Sequence, residues 1–230
     1  MKKVLLSFQL STWNQNKMDS KQTMDDFNKS QTIESKIHEA CMNGETEQFL
    51  NLINEAEHLD IVEIDKKRTL IFAVINKNLK MVHKLLDHGA DINIQDEEIG
   101  ATPLFHACCD GSIEIAVELM ERGADVTLKT IQGEVPLLAS VWNNRVDIIM
   151  KLLDYGANPN FPCLPTILHI ACRYSDFEVV KALLKYGAKV TQIDFTYAIT
   201  SAKIEMLKTL LNHVPDVNQF ETLFHAAFIG

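Results

Sequence analysis

Three side chains lie close enough in sequence to suggest a nucleophile and its base: His106, Cys108 and Cys109. An imidazole beside a thiol can take its proton, and the thiolate is the reactive species. Cys108, however, holds a place that recurs along the chain as Cys41 and Cys172. A small apolar residue suits that place, and cysteine is readily buried as one. Cys109 points to another side of the same segment and is expected to be exposed and open to modification. The string His-x-Cys-Cys has neither zinc-finger spacing nor a second Cys/His pair at loop length, so no metal site is expected. The nine glycines never fall as a phosphate-binding or dinucleotide-binding loop, and no Gly-x-Ser-x-Gly elbow occurs. The run Asp96-Glu97-Glu98 reads as a solvated loop tip. With no convergent constellation, the expectation is a protein that is not an enzyme, with no catalytic residue, no metal and no cofactor.

The bulk properties narrow the partners. Among 230 residues, 31 Asp+Glu outweigh 22 Lys+Arg, for a net charge of −9. That balance argues against unassisted binding to nucleic acid or to an anionic membrane, although it leaves room for a local basic patch. Five cysteines, an odd number without framework spacing, read as reduced thiols. A cytoplasmic location follows as the expectation, with the nucleus as the alternative. No apolar run approaches the ~18 residues of a membrane span. Met1-Lys2-Lys3 followed by Val4 to Leu10 superficially resembles a signal peptide, but Gln9 interrupts the apolar stretch and no cleavage site follows before Trp13.

What positions these residues is a repeat. Large apolar residues recur as Ile37, Leu70, Leu104, Leu137, Leu168, Phe195 and Phe224, at intervals of 33, 34, 33, 31, 27 and 29. Three residues after each stands Ala40, Ala73, Ala107, Ser140, Ala171, Ala198 or Ala227. A second signature runs in phase: Leu85-Leu86 then Gly89, Leu119-Met120 then Gly123, Leu152-Leu153 then Gly156, Leu183-Leu184 then Gly187. Each unit therefore holds two short helices. The first is small-faced, so a neighbour can approach closely. The second carries an apolar stripe such as Val82, Leu85, Leu86. A glycine ends it where a left-handed residue is needed. No unit can bury its apolar faces alone, so the units must stack into a solenoid.

The period and two strings, Thr166-Ile167-Leu168-His169-Ile170-Ala171 and Thr222-Leu223-Phe224-His225-Ala226-Ala227, resemble the ankyrin repeat, as does Thr102-Pro103-Leu104-Phe105-His106-Ala107 in part. The resemblance implies an all-α solenoid with β-hairpin-type loops, about six repeats and a partial seventh over residues 31–230, behind a flexible tail at 1–30. It implies a structural role for His38, His169 and His225, bonding across the turn. Departures from the pattern are Lys66 and Leu164 in place of the hairpin glycine seen as Gly100 and Gly133, a shortened loop before Phe195, and Val214-Pro215 in place of Gly-Ala.

Family partners usually touch the hairpin tips and the exposed end of the first helix, on a concave face. Carried onto this sequence, those positions are Met42 and Asn43, Ile75 and Asn76, Cys109 and Asp110, Trp142 and Asn143, Arg173 and Tyr174, and Thr200 and Ser201 on the helices, with Ile131, Gln132, Pro162 and Cys163 at nearby tips. Trp142, Arg173 and Tyr174 are hot-spot residue types in adjacent repeats. Trp142 has two readings, an exposed anchor or packing against its neighbours. The function expected is a protein-binding scaffold with an unidentified protein partner. The alternatives are the recognition arm of a ubiquitin-ligase-type complex or a host-directed effector. The apolar end formed by Phe220, Leu223, Phe224, Phe228 and Ile229 suggests self-association or a missing continuation.

Overall fold

The computed structural model describes residues 33–55 and 68–214. The expected tail at 1–30, Lys66 and the seventh unit with His225 lie outside the described residues. Twelve helices stand in six pairs: α1 (Ile33–Asn43) with α2 (Thr46–Glu55), α3 (Thr69–Ile75) with α4 (Leu79–Asp87), α5 (Pro103–Asp110) with α6 (Ile113–Glu121), α7 (Pro136–Trp142) with α8 (Val146–Asp154), α9 (Ile167–Tyr174) with α10 (Phe177–Lys185), and α11 (Gln192–Thr200) with α12 (Ile204–Leu211). First helices pack on first helices along the chain, and second helices on second helices from α2 to α10. This two-layer stack is the all-α repeat solenoid that the two in-phase signatures require.

The packing follows from residue size. Ala40, Ala73, Ala107, Ser140, Ala171 and Ala198 are all buried where one first helix meets the next, and Ile37, Leu70, Leu104, Leu137, Leu168 and Phe195 are buried beside them. Thr102 and Thr166 cap α5 and α9 by accepting the backbone N–H of Phe105 and His169, each at 3.2 Å. The paired leucines also have a backbone role. Ala90, Ala124, Ala157 and Ala188 each donate their N–H to the carbonyl of the first residue of the pair, at 2.9–3.0 Å, closing the second helix behind its left-handed glycine.

The turn inside each pair uses the same closure with less glycine. Gly44, Lys77, Gly111, Asn144 and Ala202 all have positive φ at one repeat position. Each is followed by a residue whose N–H returns to the row of small residues, as in Arg145 to Ser140 at 3.0 Å and Lys203 to Ala198 at 2.9 Å. Lys, Asn and Ala take the left-handed state there at a cost of roughly 1–2 kcal/mol each. Ser175 breaks the pattern with φ −109°, and its hydroxyl instead donates to Val141 O at 2.8 Å.

The connecting loops shorten along the solenoid, from residues 88–102 through 122–135 and 155–166 to 186–191, as the 27-residue interval requires. The first two make hairpin turns with no strand among the described residues: Asp96 N–H to Ala101 O at 3.0 Å, Thr130 N–H to Glu134 O at 2.9 Å. Neighbouring tips bond each other through Ile131 N–H to Ile99 O at 2.8 Å. A Cβ on Gly100 would meet Ile131 at 3.1 Å, so glycine there allows the close approach as well as the positive φ.

The histidines face differently from expectation. His38 meets Thr69 Oγ1 at 2.9 Å and His169 lies 3.5 Å from Asp194, so both reach forward to the next repeat. His106 works across its own turn, 2.8 Å from Asp96. Asp96 also accepts the N–H groups of Ile99 and Gly100. Burial pushes its carboxyl up, but the His106 bond and the Ile99 N–H outweigh this and hold it below the usual carboxylate range. A depressed carboxyl stabilises the fold above its unfolded pKa and loses that contribution as pH falls through the folded value. Asp96→Asn is therefore expected to lower stability by about 1–3 kcal/mol at neutral pH. In urea titrations the gap to the wild type should narrow below about pH 4; a gap independent of pH would refute the assignment.

Candidate functional site

The last turns of α7, α9 and α11 bring together the residues singled out by type. Trp142 closes α7, Arg173 and Tyr174 close α9, and Thr200 closes α11. The Trp142 and Tyr174 rings lie 5.2 Å apart, tilted by 40°. The Arg173 guanidinium stands 5.2 Å from the Tyr174 ring centroid. Tyr197 of α11 donates its hydroxyl to Arg173 O at 3.2 Å, and Lys203 stands 5.0 Å from the Tyr197 ring. A chain of aromatic and cationic contacts thus links the three repeats.

One open reading is decided here and one expectation is corrected. Trp142 is only 7% exposed, and Cys109 is buried as well. The cause is the next repeat: its first helix approaches closely, and Tyr174 lies against the indole. The packing reading of Trp142 is therefore the one found, with Nε1 buried and no acceptor among the described residues. Tyr174 takes its place at the surface, 49% exposed, beside exposed Arg173. Asn143 is half-buried and turns back to bond Ala139 O at 2.9 Å. Asp110 is half-buried, and burial raises its carboxyl against the lowering charges of Lys77, His106 and Arg145.

The tip residues form a second group. Ile131 and Gln132 precede α7 and Trp142 ends it, so they sit at opposite ends of that helix. Ile131 is 74% exposed, and Cys163 is half-buried. Sequence reasoning passed over Leu164, 97% exposed on the next loop, and Ile193, 61% exposed in the first turn of α11. An apolar residue where the repeat pattern wants glycine was the available signal for Leu164. It also passed over Arg145, whose guanidinium packs on Gly111, where a Cβ would lie 2.4 Å from its Nε.

The four buried thiols are held protonated by their surroundings. Burial pushes Cys41, Cys108 and Cys172 up, the latter two to about 12. Burial, with the charges of Cys108, Asp110 and Glu134, raises Cys109 well above the ordinary thiol range. Among the described residues no group of three or more His, Cys, Asp and Glu is placed to hold a metal ion, and no helix is long and apolar enough to cross a membrane.

A family model described as ankyrin repeats, in three copies, matches residues 37–130, 70–163 and 128–194. Palmitoyltransferase AKR1 of Lachancea kluyveri is 28% identical over 201 residues, covering 80% of this chain and 27% of that protein. The B-cell lymphoma 3 protein homolog of Mus musculus is 34% identical over 127 residues, 55% of this chain and 28% of that protein. The E3 ubiquitin-protein ligase KEG of Arabidopsis thaliana is 28% identical over 155 residues, 64% of this chain and 10% of that protein. The chain thus spans well under a third of the length of each of these relatives.

Because Trp142 is a core residue, Trp142→Ala should cost about 3–5 kcal/mol in urea unfolding, while Tyr174→Ala should cost less than half as much. Equal costs would refute the burial argument. Ellman's reagent on the native protein is expected to label Cys163 first, with the other four cysteines reacting only after denaturation. A fast phase that survives Cys163→Ser would contradict this.

Proposed function

The chain belongs to the ankyrin-repeat family, a protein-interaction module, and on that premise we propose that it is a non-enzymatic scaffold that binds a partner protein through its first-helix face. The observation that carries this is the pairing of exposed Tyr174 and Arg173 over buried Trp142. A rigid aromatic beside an arginine, backed by a packed indole, is the composition of an interface anchor. Its supports belong to the solenoid core, so little conformational entropy is lost on binding. Asn143, Cys109 and Asp110 hold the floor of this face. Ile131, Gln132 and Cys163, extended by Leu164 and Ile193, offer an apolar rim at the loop tips. Five free cysteines favour a reducing compartment and hence a cytoplasmic location.

A second reading, the recognition arm of a larger enzyme, draws support from the relatives. Two of those named above are enzymes by name, and this chain matches only a small share of each. In this reading too, the described helices bind and do not catalyse.

The test is affinity capture from a matched lysate by the wild type, by an Arg173→Ala, Tyr174→Ala variant and by an Ile131→Asp, Leu164→Asp variant of equal helicity. A protein retained by the wild type and weakened by ~2 kcal/mol or more in the first variant is the expected result. Equal capture by the first variant and loss in the second would move the interface to the tips. Co-capture of a ubiquitin-ligase subunit through the same face would favour the second reading.

A further inference from the structure

The first-helix face carries a charge opposite to that of the whole chain. The segments 42–45, 75–78, 109–112, 142–145, 173–176 and 200–203 end the first helices and begin the turns to the second. They contain four cations, Lys77, Arg145, Arg173 and Lys203, against three carboxylates, Glu45, Asp110 and Asp176, in a chain of net charge −9. Asp176 accepts a hydrogen bond from the Asn144 side-chain amide and donates its own N–H to Asn144 Oδ1, and Asp110 is half-buried.

The four arginines of the described residues divide sharply. Arg68 pairs with Glu97, and Arg122 pairs with Asp87 and Glu118. Arg145 and Arg173 are exposed, and neither has a carboxylate within ion-pair distance among the described residues. Arg145 lies on Gly111, close enough to Asp110 to lower its carboxyl without bonding it. Arg173 stands over Tyr174, and a guanidinium stacked on a ring still directs its N–H fork outward. Lys77 and Lys203 donate to the backbone carbonyls of Asp110 and Cys172, and neither forms an ion pair among the described residues. In a chain with a surplus of carboxylates, two exposed guanidinium forks on consecutive repeats, both left without one, mark a surface whose counter-charge comes from outside.

Resting on the scaffold reading above, we propose that the partner presents an acidic peptide segment to this face, its Asp or Glu side chains taken by the forks of Arg145 and Arg173 and its apolar side chains by Tyr174. The chain's acidity elsewhere repels a bulk polyanion, so a short acidic peptide fits better than nucleic acid.

The test uses the full chain and fluorescein-labelled peptides of equal length and equal Leu, Gly and Ser content, one rich in Glu and one rich in Lys, read by anisotropy. The Glu-rich peptide should bind the wild type, more weakly as salt rises. An Arg145→Glu, Arg173→Glu variant should weaken it by at least about tenfold and favour the Lys-rich peptide. Arg145→Gln, Arg173→Gln, with its circular dichroism matched to the wild type, keeps size and removes charge, and should fall between. Equal binding of the two peptides by the wild type, no binding of either, or indifference to the arginine changes would overturn the proposal. Tighter binding of a labelled thymidine oligonucleotide than of the Glu-rich peptide would also overturn it. If a peptide is insensitive to the arginines but lost in Tyr174→Ala, the acidic chemistry fails while the face survives. If a Glu-rich peptide is lost in the arginine variants while lysate capture ignores Tyr174, the partner face fails instead.

Discussion

Everything in this molecule depends on how closely one first helix can lie against the next. The row of small residues from Ala40 to Ala198 sets that distance, because a large side chain at any of them would wedge two repeats apart. Ser140 is the one polar member, and it is accommodated because its hydroxyl donates to Pro136 O within its own helix. Large residues then fill the remaining space. Burying a Leu or Phe contributes about 1.5–3 kcal/mol relative to leaving it exposed, and each repeat collects that contribution from both neighbours. Stability is shared between adjacent units and belongs to no single one.

The same approach distance decides what the surface displays. Had the repeats stood farther apart, Trp142 would have remained open and Tyr174 would have hung beside it. At the distance found, Tyr174 covers the indole and becomes the exposed member of the pair. The histidines follow the same logic. His38 and His169 lie near enough to the next unit to meet Thr69 and Asp194, so a residue type expected to brace its own turn braces the interface between repeats.

This separates what could be read in the sequence from what could not. The helix pairs, the small row, the Leu-Leu and glycine closures and the trimmed loop before Phe195 were legible, because each is written in residues of one unit at a fixed period. The positive φ of Lys77, Asn144 and Ala202 was not, because their side chains do not ask for it. The closing bonds to Ala73, Ser140 and Ala198 impose it. The burial of Trp142 was undetermined for a related reason: it depends on a residue 32 positions later that belongs to the next repeat. Arg145 was missed because a cation in a turn is ordinary, and only the absence of a bonded carboxylate among its described neighbours distinguishes it from Arg68 and Arg122.

The two ends of the first helices are consequently unlike. The tip end holds Ile131 and Leu164 on loops that shorten along the solenoid, so these apolar side chains ride on backbone braced by only a few bonds between loops. The other end is braced by carbonyl caps from the following repeat, as Ser175 caps Val141 and Lys203 caps Cys172. A partner that must be held in one register gains more from the braced end, where the Tyr174 ring cannot move without disturbing its contact to Trp142 and the Arg173 backbone is tied to Tyr197. The tips can adapt to a partner already docked. Tight stacking therefore accounts both for the stability of the solenoid and for which of its surfaces is the more firmly braced.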